Sequence, residues 1–135
     1  MIEKYYNCKV KYNDYLIFIK SGSFYEVLEK DALILNSLVG YKIKRLSNCI
    51  KLGFPLSKID DICNIVSSNK INYIIYNNEL EIKEFKDNKY NSFNINIDKV
   101  KFNYIRIDKI INYLNDNITS NNIDILLSKI EALYE

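Results

Sequence analysis

Tyr15-Leu16-Ile17-Phe18-Ile19-Lys20-Ser21-Gly22-Ser23-Phe24-Tyr25-Glu26-Val27-Leu28 is the stretch on which the fold turns. An apolar run rich in β-branched and aromatic residues stops at Ser21-Gly22, and a second run starts at Phe24. This is the pattern of a β-hairpin closed by a tight turn. Side chains alternate on a strand, so Phe24 and Glu26 share one face and Tyr25 takes the other, supporting the strand from behind. A stacking surface then lies beside a hydrogen-bond acceptor, a combination able to wedge into a base step and read the displaced base. Ordinary burial statistics give a blander reading of a core Phe, a half-buried Tyr and a solvated Glu. The surrounding pattern decides between them.

Residues 2–12 have the spacing of a short helix with Ile2, Tyr5, Tyr6 and Val10 on one side. After the hairpin, Glu29 to Val39 is expected to be helical through Leu33, Ile34 and Leu38, with Gly40 as its stop. Strands are expected near 41–46 and 49–53. Ser57 then suits the N-cap of a helix carrying Ile59, Ile62, Cys63 and Val66, with Asp60 and Asp61 in its first turn. A strand over 71–76 leads to a hairpin at Asn77-Asn78, a returning strand from Leu80 to Lys86 and a further strand from Phe93 to Ile97. Two amphipathic stripes follow: Ile107, Ile110, Ile111 and Leu114, then Ile123, Leu126, Leu127, Ile130 and Tyr134. The expected fold is α/β (α+β), a mixed central sheet flanked by helices with extra C-terminal helices. We divide it into a domain over 1–100 and a helical extension over 101–135. The first stripe is expected to dock on the sheet, and the last helix either covers the sheet or pairs with a second copy.

In order along the chain stand Gly22-Ser23-Phe24-Tyr25-Glu26, Asp31-Ala32, Ile43-Lys44-Arg45, Gly53-Phe54-Pro55 and Tyr73-Ile74-Ile75-Tyr76. This succession resembles the N-terminal mismatch-recognition domain of the MutS DNA mismatch-repair family, over roughly residues 3 to 77. The sequence departs from the family at Leu56-Ser57, where Tyr-His or similar is usual, and at Tyr76-Asn77-Asn78, where the strand usually ends near Cys-Glu-Gln. The resemblance implies that Phe24 stacks on a mispaired base from the minor groove, that Glu26 hydrogen-bonds it, and that the duplex kinks. A full MutS adds clamp domains that hold the wedge on DNA. Read as a stand-alone copy, this chain is expected to bind weakly unaided.

Composition sets the outer limits. A chain of 135 residues with 48% apolar content fits one domain with a genuine core. None of Gly22, Gly40 and Gly53 precedes a lysine, which excludes a phosphate-binding loop and an ATP-driven clamp. Cys8, Cys49 and Cys63 lack Cys-x2-Cys spacing and the chain contains no histidine, so neither a metal site nor a cofactor is expected. The odd cysteine count, with no signal peptide, fits a reducing cytoplasm. No apolar run approaches the roughly 20 residues of a membrane span. Net charge is only +2, but no acidic residue falls between Ala32 and Ile59. Lys42, Lys44, Arg45, Lys51 and Lys58 all lie in that window. A strand from Tyr41 to Arg45 would place Lys42 and Lys44 on one face and Arg45 on the other. Such a patch can follow a phosphate backbone, or it can be a lysine-guarded sheet edge.

The absence of histidine removes the commonest general base and the usual Ser or Cys triads. Two catalytic arrangements are weak readings of the sequence: a magnesium nuclease built on Glu81-Ile82-Lys83 with Asp60 or Asp61, which fall at a helix start and not at a strand end, and a carboxylate pair of Glu26 and Asp31, whose separation nothing fixes. The resulting expectation is a non-catalytic module that binds mismatched or kinked double-stranded DNA. Phe24 and Glu26 would form its reading pair, and Lys42, Lys44, Arg45 and Lys51 its backbone contacts. The alternative is a regulatory module of the same ancestry that binds a repair, recombination or defence protein, and burial of Phe24 would favour it.

Overall fold

The structure, a computed structural model, describes residues 2–135. Leu16–Ser21 (β1) and Phe24–Leu28 (β2) form the expected hairpin. Ser21 pairs with Phe24, which leaves Gly22 and Ser23 as the turn. Gly22 holds φ +61°, the left-handed backbone that a primed hairpin turn requires and that glycine adopts without a Cβ clash. Ile2–Lys11 (α1) precedes the hairpin and Glu29–Val39 (α2) follows it, ending on Gly40 at φ 74° with its N–H bonded to the Asn36 carbonyl. No loop separates β2 from α2. Glu29 makes the corner itself at φ 55°, a left-handed conformation unusual for a non-glycine residue, and its carboxylate accepts the Ile50 N–H at 2.9 Å.

Beyond α2 come Lys44–Arg45 (β3), Ile50–Pro55 (β4), Ile59–Ser68 (α3), Tyr73–Asn77 (β5) and Glu79–Lys83 (β6). The strands form one mixed six-stranded sheet in the order β3-β4-β2-β1-β5-β6, with β1 and β5 parallel and the other pairs antiparallel. The chain is therefore an α/β protein with a mixed central sheet and flanking helices. On one face Ile17, Ile19, Leu28 and Ile74 are buried beneath Tyr5 and Cys8 of α1. The opposite face is aromatic, with Phe18 lying 5.8 Å from Phe54 and 6.0 Å from Tyr73, and Tyr25 lying 5.9 Å from Phe54, measured between ring centres. α2 packs on β2, β4 and α3.

Several local expectations are corrected. The strand expected near 41–46 is only the two residues Lys44–Arg45. It is an edge with one neighbour, and Lys42 lies in the irregular segment before it. Ser57 is not an N-cap. It sits inside a 3-10 turn, Leu56–Lys58, and α3 begins at Ile59 without a side-chain cap, although Asp60 and Asp61 do lie favourably in its first turn. β6 stops at Lys83 because Asn72 Oδ1 takes the Phe85 N–H at 2.6 Å and draws the chain off the ladder. No strand forms over Phe93 to Ile97: after a 3-10 turn, Tyr90–Ser92, the chain runs irregularly to Asn96, which caps a helix starting at Ile97 by accepting the Lys99 N–H on its side chain. Alternating apolar residues are shared by a strand and by an irregular lead-in whose last member starts a helix, so period alone misassigned this segment.

Residues through Ile95 form one compact unit and Asn96 onwards a second. The second contains Ile97–Asp116 (α4) and Ile123–Glu131 (α5).

Asp31, in the first turn of α2, is fully buried. Its carboxylate accepts the Ile17 N–H at 3.2 Å and the Tyr90 hydroxyl, and lies 3.1 Å from the Lys9 ammonium. The Tyr5 hydroxyl is 3.1 Å from Asp31 Oδ2 and 3.0 Å from the Leu28 carbonyl, with a single proton to share between them. Lys9 also donates to the Tyr15 carbonyl at 2.8 Å and to the Tyr90 hydroxyl at 3.0 Å. Burial pushes the Asp31 carboxyl up and the Lys9 ammonium down from their ordinary values, while each charge opposes the shift of the other. Removing one partner of a buried ion pair strands the other. Asp31→Ala is therefore expected to cost about 3–5 kcal/mol in a urea titration, and a loss below about 1 kcal/mol would show that the network is dispensable.

Burial also governs the thiols. Cys8, Cys49 and Cys63 are buried and form no disulfide, and burial pushes the Cys63 thiol up to about 11. Alkylation by iodoacetamide near neutral pH is expected to be slow in the folded protein and rapid in denaturant. Equal rates in the two states would contradict the packing described here.

Candidate nucleic-acid interface

Register places the candidate residues. In an antiparallel pair, directly opposed residues point to the same face. Phe24 opposes Pro55, Glu26 opposes Gly53, and Lys44 opposes Lys51. Strand alternation then puts Phe24, Glu26, Lys44 and Lys51 on one face across β2, β4 and β3. That face is the one α1 covers, but the cluster under α1 draws on β1, β5 and the Leu28 end of β2. The Gly22 end of β2 lies outside the cluster, and there Phe24 is 47% exposed beside exposed Gly53 and Pro55. Tyr25, on the other face, is buried against Phe54. Phe24 and Glu26 are separated by two strand residues, about 6.6 Å along the backbone.

Glu26 is held by charge. Its Oε2 lies 3.0 Å from Lys51 Nζ, with both side chains largely covered. The same oxygen has no aligned hydrogen bond among the described residues, so the contact is an ion pair of poor angle and the acceptor capacity of the oxygen is unspent. Gly53 contributes to this arrangement by adding no side chain opposite Glu26. A Cβ there would sit 3.9 Å from Glu26 Cγ, an ordinary contact, so glycine is not forced by crowding and its effect is to leave the surface beside the carboxylate low. Lys44 and Lys51 face one another as like charges, an unfavourable cross-strand pair that Glu26 partly offsets.

The remaining candidates divide. Lys42 is exposed but not on a strand, so the expected pairing of Lys42 with Lys44 on one strand face is corrected. Arg45 opposes Ile50 and takes the other face of the edge, away from Phe24. Lys51 is on the Phe24 face and engaged with Glu26. Asp31 is fully buried in its own network and Glu26 faces Lys51, so the two carboxylates have separate partners. Glu81 and Lys83 share a face of β6, while Asp60 and Asp61 are exposed at the start of α3. Among the described residues no group of His, Cys, Asp or Glu is arranged to hold a metal ion.

In the sequence, Gly53-Phe54-Pro55 stands only as a short motif. The structure shows that its Gly and Pro are the cross-strand neighbours of Glu26 and Phe24. The signal was available in the matching two-residue spacing of both motifs, but pairing register is a property of two strands together. No described helix is long and apolar enough to cross a membrane.

No curated protein matches the chain. The family model for MutS domain I matches residues 1–90, which spans every strand of the sheet and the Tyr90 that closes the Asp31 network. With the sheet, its connections and the exposed Phe24 face falling inside that match, the chain belongs to the MutS domain I family.

Proposed function

We propose that this protein binds double-stranded DNA at mismatched or easily kinked steps without catalysing a reaction. Phe24 enters a base step as a wedge and Glu26 reads the displaced base. The observation that carries this reading is the exposure of Phe24, at 47%, on the same strand face as Glu26, whose largely covered carboxylate is held by Lys51 with one oxygen lacking an aligned hydrogen bond. A large aromatic at the tip of a rigid hairpin is a stacking surface that needs little ordering on binding. Inserting it costs a few kcal/mol of unstacking in a sound duplex and less where pairing is already broken, so selectivity comes from deformability. Lys44 supplies phosphate contact from the same face. Lys51 restrains Glu26, keeping an anionic group from repelling the backbone until a base edge competes for it. Glu26 and Asp31 act as structural or reading groups in this scheme, with no catalytic role. A reducing cytoplasm suits three buried cysteines that form no disulfide.

Phe24→Ala is expected to abolish the preference for mismatched over matched duplex while leaving the circular dichroism spectrum unchanged, a loss of about 1–3 kcal/mol. Fluorescence anisotropy with paired duplexes measures it, and a preference that survives the substitution removes the wedge. Glu26→Ala is expected to reorder affinities among mismatches more than it lowers them, whereas a uniform loss would make Glu26 structural only.

Lys44→Ala is expected to weaken binding to all duplexes alike and to reduce the slope of log affinity against log salt by about one unit. A slope equal to that of the parent would place Lys44 outside the contact.

A further inference from the structure

Gly53 is a glycine that the fold does not require. It lies inside β4, paired across from Glu26, and its backbone is outside the left-handed region that calls for glycine. A Cβ at this position meets only the Tyr25 carbonyl oxygen at 3.7 Å and Glu26 Cγ at 3.9 Å, both ordinary contacts. Glycine inside a strand is nonetheless costly, because it gives up more backbone freedom on folding than any other residue and packs no side chain. Where the strand's own neighbours leave room for a side chain, such a glycine marks the close approach of something else to the backbone.

The surroundings of Gly53 form a notch. On the Phe24 face, β4 carries Lys51, Gly53 and Pro55 in succession, and β2 carries Leu28, Glu26 and Phe24 opposite them. Bulk therefore stands at both ends, Pro55 with Phe24 at one and Lys51 with its Glu26 contact at the other. Two more residues of β3 ladder would set Lys42 against Gly53, but β3 begins at Lys44, so Gly53 has a strand neighbour on the β2 side alone. Gly53 itself is exposed.

We propose that this notch seats the sugar of the nucleotide beside the wedged step, which makes Gly53 a specificity-determining residue; the assignment rests on the DNA reading above. Apolar wedges enter base steps from the minor groove, which is about 6 Å wide and walled by sugars. Gly53 is the diagonal cross-strand neighbour of Phe24, about 7–8 Å from it. With the Phe24 ring inside the step, β4 therefore meets the groove wall at Gly53. A side chain there would hold the sugar off by at least a carbon–carbon bond, about 1.5 Å, and stop the ring from seating fully. Matched duplex, into which the ring does not insert, never makes this contact.

The test uses G53A and G53V in the full chain, with fluorescence anisotropy on matched and mismatched duplexes and thermal melting followed by circular dichroism. G53A is expected to melt about 2–4 °C above the parent, because alanine restricts the unfolded chain. It is expected to lower the preference for mismatched duplex about threefold, and G53V on the order of tenfold. Affinity for matched duplex and the slope of log affinity against log salt are expected to stay as in the parent, since no charge is lost. A G53A protein that melts below the parent shows that the fold itself needs the glycine and overturns the proposal. A parent that prefers mismatched duplex, with G53A and G53V variants that keep the full preference, overturns the seat alone. A parent without any preference overturns the DNA reading and the seat together.

Discussion

Asp31 is a carboxylate with no solvent exposure, and its fate constrains the first compact unit. An isolated buried charge is too costly to keep, so it has to be surrounded by donors. The donors come from parts of the chain far apart in sequence: Tyr5 and Lys9 from α1, the Ile17 amide from β1, and Tyr90 from the turn that closes the unit. Satisfying one carboxylate therefore fixes α1 against the sheet, α2 against β1, and the segment after β6 against both. Lys9 and Lys30 lie 4.6 and 5.1 Å from the centre of the Tyr90 ring, adding cation–π attraction to the same closure.

That closure determines where the sheet is covered. α1, tethered through Tyr5 and Lys9, lies over β1, β5 and the Leu28 end of β2. A 10-residue helix is about 15 Å long and cannot also cover the far end of the hairpin. The uncovered end carries Phe24 with Pro55 and Gly53 exposed beside it, and the largely covered Glu26 lies next along the same face. The candidate surface is thus the remainder of the sheet face after the core has been built. Its rigidity comes from the other face, where Tyr25 and Phe54 pack ring to ring. One side of each strand holds position while the other is presented, a division that strand alternation permits without any special loop.

The elements were legible where a local signal coincided with the final contact. The hairpin was legible because Gly22 sits between two β-rich runs, α2 because Gly40 ends an apolar period, and the sharing of a face by Phe24 and Glu26 because alternation is a local property. The short β3, the 3-10 turn at Ser57 and the loss of the strand at 93–97 were not legible. An edge strand's length depends on its single neighbour, and a capped helix can begin with the same alternation that marks a strand. Among the candidate residues, alternation put Arg45 on the opposite face from Lys44, as the edge strand has it, whereas Lys42 was expected beside Lys44 and lies off a strand only two residues long.

By itself, then, the sequence determined the order of helices and strands through most of the first unit, the family through its ordered short motifs, and which side chains alternate on β2. Only the tertiary structure decided that Asp31 is the buried node, that Lys51 pairs with Glu26, that Gly53 and Pro55 oppose Glu26 and Phe24 across the strands, and that Phe24 lies at the uncovered end. The physical reason is that alternation and capping act within a few residues of chain, whereas burial, register and charge pairing are set by which distant segments compete for the same space.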